Sequence, residues 1–95
     1  MTRENIAIDR ALKLHDLALS VVRAKGTPRL DGSGTILEYR YGHLSVQYRQ
    51  GEGRLDVWFI RRVLSIQRFA GKPELMHYTP GDWEGHLIEA ARVAA

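Results

Sequence analysis

The sequence predicts an α+β domain: an N-terminal helix, an antiparallel meander of four to five strands, and a C-terminal helix. Three observations lead there. Residues 6–25 carry apolar side chains at helical spacing. Residues 35–78 alternate apolar and polar side chains in short runs separated by turns that mostly carry glycine. Thr79-Pro80-Gly81-Asp82-Trp83-Glu84 reads as the start of a second helix. The densest strand signal is residues 54–69, and the rest of the chain reads as built against it.

For the first helix, Thr2 or Asn5 supplies a cap, and Gly26 followed by Pro28 closes it after about Lys25. At 100° per residue, Ile8, Ala11, Leu12, Leu14, Leu17, Ala18, Leu19, Val21 and Val22 fall in one sector of about 220°. That is too wide for one surface, so this helix must meet the sheet and something else, either the C-terminal helix or a second copy of the chain. Asp9, Lys13, Asp16, Ser20 and Arg23 fall on the opposite side, toward water. His15 lies inside the apolar sector. A buried histidine satisfied by a nearby backbone carbonyl or hydroxyl is a commoner arrangement than a buried base, and Asp16, about 100° around the helix, is not expected to pair with it.

Residues 26–34 are rich in turn formers, and Asp31-Gly32 suits a hairpin if residues 28–30 form a short strand. Residues 35–41 and 43–50 read as strands separated by Gly42. On the second, Leu44, Val46 and Tyr48 face one way, and His43, Ser45, Gln47 and Arg49 the other. Gln50-Gly51-Glu52-Gly53 returns the chain into the central stretch, where Leu55, Val57 and Phe59 alternate with Arg54, Asp56 and Trp58. Only Arg61 and Arg62 separate this run from the next, with no residue suited to a tight hairpin. In that next run Leu64 and Ile66 share a face with Arg68, and Val63 and Phe69 share the other with Ser65 and Gln67, so it reads as covered on both sides. Ala70-Gly71-Lys72-Pro73 turns the chain into a short edge strand at 74–78. Thr79 is then the natural N-cap, with Pro80 at the first helical position. Trp83, Leu87, Ala90, Ala91 and Ala94 form a stripe of about 100° anchored by the tryptophan.

Ninety-five residues make a single domain, residues 1–95, that removes roughly 60–70% of its unfolded surface from water. Hydrophobic content of 44% and charged content of 26% suit a globular chain. The chain has no cysteine, which excludes disulfides, thiolate metal sites and a cysteine nucleophile. Charges at Asp9, Arg10, Lys13 and Asp16 break the longest apolar stretch, so it cannot span a bilayer. Glu4 and Asp9 do not suit a secretory signal. A cytoplasmic protein with no membrane partner is expected. The net charge of +3 is a mild bias that a solvated basic surface explains.

Chemistry is sparsely marked. None of Ser20, Ser33, Ser45 and Ser65 stands in a Gly-x-Ser-x-Gly elbow. Gly32-Ser33-Gly34 lacks the end of a P-loop and precedes a strand, so it is a poor phosphate site. Asp82, His86 and Glu89 fall within about 60° of one another on the second helix, a set that could hold a divalent metal with His77 nearby, though a solvated polar face is the simpler reading. No catalytic residue, metal or cofactor is assigned, and an enzyme is not expected.

The polar side of the sheet is the more informative surface. There Arg49, Arg54, Trp58, Arg61 and Arg62 are the candidate binding residues, with Arg68 and Lys72 as further contributors; an aromatic ring among arginines can stack on a base or hold a partner side chain. The competing and preferred reading of Trp58 is core beneath a helix. The sequence thus predicts a small non-catalytic cytoplasmic protein-interaction module, a homodimer joined through the apolar sector of the first helix. The alternative is a nucleic-acid-binding domain using the arginine-bearing sheet face, and a metal-assisted enzyme at Asp82, His86 and Glu89 ranks third.

Overall fold

A computed structural model describes residues 3–31 and 34–95, with side chains from 7–30 and 35–95. Helix α1 (Arg3–Lys25) is followed by β1 (Thr27–Asp31), β2 (Gly34–Tyr41), β3 (Leu44–Arg49), a 3-10 turn (Gln50–Glu52), β4 (Arg54–Phe59), β5 (Arg61–Phe69), β6 (Lys72–Tyr78) and α2 (Trp83–Ala94). The six strands pair antiparallel in chain order, so β1 and β6 are the edges. The expected four to five strands become six because β1, a short Pro-bearing segment with little pattern of its own, acquires a partner in β2. Pro28 and Pro73 both stand on these edge strands, where a missing N–H disturbs no inner ladder and discourages pairing with another chain.

Three expectations fall at least partly on residues 1–2 and 32–33, outside the described residues: the Thr2 cap, the Asp31-Gly32 turn and the Gly32-Ser33-Gly34 nest. Asn5 lies inside α1 and so does not cap it.

Both helices lie on one face of the sheet. The core joins Ala11, Leu14, Ala18 and Val22 of α1 and Trp83, Leu87 and Ala90 of α2 to Leu44, Val46, Leu55, Val57, Leu64 and Ile66. Within the wide α1 sector, Leu12, Leu17 and Leu19 are half-buried and Ile8 alone is exposed, at 41%. The second surface that this sector required is α2, whose Ala91 and Ala94 line a crevice with Leu17 and Val21. Among the described residues no helix is long and apolar enough to cross a membrane.

Helix α2 begins later than expected. Its first residue is Trp83, with Asp82 before it and no capping bond from the Asp82 side chain. Thr79 is not the cap: its hydroxyl meets His77 Nε2 at 3.0 Å and its carbonyl accepts the Trp83 indole N–H at 2.6 Å. Glu84 organises the start instead. Its Oε2 accepts from the Gly81 amide and the Tyr78 hydroxyl, both at 3.2 Å, and its Oε1 takes Arg10 of α1 at 2.8 Å. A reach-back carboxylate leaves Thr79 and Pro80 free to form the approach to the helix.

His15 is 1% exposed, and its Nδ1 meets Asp16 Oδ1 at 3.0 Å, contrary to the expectation drawn from helical angles. The 100° between adjacent residues fixes Cα directions, whereas the carboxylate of an exposed aspartate can swing back. Arg68 of β5 holds the same oxygen at 3.1 Å and ties α1 to the sheet. Burial lowers the His15 pKa below the ordinary 6.5, with the Asp16 hydrogen bond opposing.

Candidate functional site

Strand alternation sends every second side chain to the face away from both helices, and the register aligns these residues into rows across the sheet. One row runs Thr27, Glu38, Gln47, Asp56, Ser65, His77. A second contains Arg29, Ile36, Arg49, Arg54, Gln67 and Glu74. A third, toward the β2–β3 and β4–β5 turns, is Arg40, Ser45, Trp58, Arg62. The pairing of His43–Arg49 polar residues with Arg54, Asp56 and Trp58 that the sequence predicts is thus realised for Ser45, Gln47 and Arg49.

Trp58 is 38% exposed on this face. It is not core under a helix, because the helices cover the Leu55, Val57 and Phe59 side. A bulge falls beside it: Val57 pairs with Leu64 but Trp58 with Arg62, leaving Val63 as the extra residue. Val63 enters the core, and Arg62 takes the position beside the indole. This bulge also explains why Val63 and Leu64, adjacent in sequence, are both buried in the core. Phe69, by contrast, is 60% exposed.

Arg61 and Arg62 belong to β5 and do not form the turn. Ile60 alone makes it, at φ 67°. Arg61 pairs with Phe59 and so belongs to the helix-bearing side, apart from the other candidate residues. There Phe59 is flanked by His43 edge-on at 6.2 Å and by His86 at 4.8 Å. Arg68 points to α1 through Asp16, which removes it from the polar face. Lys72 pairs with Phe69 at the far end of β5.

Charge on the polar face is partly balanced. Glu38, which sequence reasoning passed over, stands on this face in β2 and is met by Arg29 at 3.4 Å and Arg40 at 3.6 Å, with Gln47 at 3.1 Å and Ser45 at 3.4 Å on its other oxygen. Its position between Leu37 and Tyr39, two core-facing residues, was a readable signal. Asp56 is 5% exposed and held by Arg54 at 3.2 Å. Arg49 lies 3.9 Å from Glu52. Around Trp58 the balance is more positive, with Arg40 and Arg62 in its row.

Asp56, Ser65 and His77 are consecutive in one row, the residue types of a hydrolytic triad. Their order is wrong for one: serine stands between the other two, its buried hydroxyl faces the Met76 sulfur at 4.0 Å, and His77 turns to Thr79. Asp82, His86 and Glu89 line a shallow depression on α2 with Gly85. Among the described residues no group of three His, Cys, Asp or Glu side chains is placed to hold a metal ion.

No family model matches the chain, and neither a curated protein nor a solved structure resembles it closely enough to count as a match.

Proposed function

We propose that this chain is a non-catalytic binding module whose working surface is the uncovered sheet face around Trp58, and that its partner is a nucleic acid. One observation carries the reading: a tryptophan stands 38% exposed on the face away from the helices, between Ser45 and Arg62 and in one row with Arg40. An exposed indole on a sheet face offers a stacking platform, and guanidinium groups in its row offer phosphate contacts. Self-association through α1 is the second reading, since α2 packs against part of the sector that a second copy would have used. A cytoplasmic location, which suits a cysteine-free chain, belongs to the same proposal.

The test is a titration of labelled DNA and RNA oligonucleotides into the protein at low salt, followed by anisotropy and Trp fluorescence. Binding should weaken with rising salt. Trp58→Ala should weaken it roughly 5- to 150-fold, the range for loss of one stacked base. Arg62→Ala should lower the salt slope by about one phosphate contact. Absence of binding to any oligonucleotide at low salt removes this reading.

A further inference from the structure

Resting on that reading, we infer that the ligand is a single strand, with one base on Trp58 and its neighbour against Ile60. Ile60 is the observation that leads there. It is 84% exposed and holds φ 67°, a conformation that glycine or asparagine adopts readily and a β-branched residue does not. Its backbone closes the β4–β5 turn, but its side chain, largely exposed, adds little to the core, and outliers of this kind gather at functional sites. It stands two residues beyond Trp58, one pair past the Trp58–Arg62 pair, beside a bulge that has already redirected the strand.

The surroundings narrow the occupant. Arg40 and Arg62 lie on this face at this end, and the nearby carboxylate, Glu38, already receives Arg29, Arg40, Ser45 and Gln47. With strands about 4.8 Å apart, the backbone positions of Arg40 and Arg62 are about 14 Å from each other, with Trp58 between them. A ligand that presents negative charge on both sides of a flat apolar ring fits this spacing. In a duplex, base faces are stacked on one another; an unpaired strand can splay one onto an indole. A lipid surface fits less well, because Trp58 lies back on the sheet face and Ile60 is the single aliphatic side chain at the apex.

The experiment compares wild-type protein with Ile60→Gly, Ile60→Asn, Trp58→Ala and, as an exposed apolar control at the other end of β5, Phe69→Ser. Each is titrated with a ten-nucleotide single strand, its duplex, and phosphatidylserine vesicles. The expected result is preference for the single strand, roughly tenfold weaker binding for both Ile60 variants, the size of one lost apolar contact, and no change for Phe69→Ser. The Ile60 variants should melt no lower than wild type, which separates lost contact from lost fold. If Trp58→Ala weakens binding but the Ile60 variants do not, or if duplex binds as well as single strand, the inference fails and the nucleic-acid reading survives. If no oligonucleotide binds, or only the vesicles do, both fail.

Discussion

Among the described residues, Ile60 and Ala70 hold positive φ without being glycine. Ala70 and Gly71, at φ 50° and 80°, form the two-residue turn between Phe69 and Lys72, a type I′ arrangement for which asparagine-glycine is favoured. Ala70→Asn should raise stability by about 1 kcal/mol in urea denaturation, because asparagine tolerates this region better than alanine. An unchanged or lower midpoint would contradict the strain assigned to this turn. His15 gives a second test. Its folded-state pKa lies below 6.5 because it is buried, so the unfolded chain binds a proton first as pH falls. Its contribution is complete above about pH 6.5 and is lost as pH drops from there toward the folded value, at no more than about 1.4 kcal/mol per pH unit. His15→Leu should flatten stability between pH 6.5 and 5 relative to wild type. Parallel curves would mean that the imidazole is not held neutral.

At the scale of elements, α2 depends on one side chain. Trp83 is 2% exposed, packs edge-on to Tyr78 at 6.2 Å and donates to the Thr79 carbonyl. Trp83→Ala should cost about 3–5 kcal/mol in denaturant unfolding, a large share of what a domain of this size has. A loss under 1 kcal/mol would show that the small-residue stripe holds the helix without it. The 3-10 turn has its own critical residue. Gly53 sits at φ 62°, and a Cβ there would lie 2.4 Å from the Arg68 carbonyl oxygen. That carbonyl cannot move freely, since the Arg68 amide donates back to Gly53. Gly53→Ala should therefore destabilise by more than about 2 kcal/mol, with a circular-dichroism melt as the readout. Helices and strands were legible at this scale because their apolar spacing is regular. The start of α2 was not, because Thr79 and Glu84 are both plausible helix-start residues and the choice depends on Tyr78 and Arg10 reaching Glu84.

Across the whole molecule the two tryptophans divide the labour. Trp83 is enclosed between the helices and the sheet, while Trp58 faces out on the opposite side. Acrylamide should quench part of the emission, and Trp58→Phe should leave a single, protected population. Equal protection of both rings would refute the placement of the uncovered face. Since α1 is covered by its own sheet and by α2, the unliganded protein should sediment as a monomer. A stable dimer at micromolar concentration would point to a surface other than the α1 sector. The candidate residues separate in the same way: Arg49, Arg54, Trp58 and Arg62 share the uncovered face because their strand parity agrees, whereas Arg61 and Arg68 fall on the helix side.

The amino-acid pattern by itself determined the helices, the alternation of the meander and the division of each strand into an apolar and a polar side, because these follow from backbone periodicity and the burial of apolar surface. Tertiary structure alone decided which side of Trp58 is covered, that Ile60 rather than Arg61-Arg62 makes the turn, and that Asp16 swings to His15 and Arg68. Those outcomes depend on strand register, on a bulge that shifts it by one residue, and on where two helices pack. Local spacing carries no information about any of them.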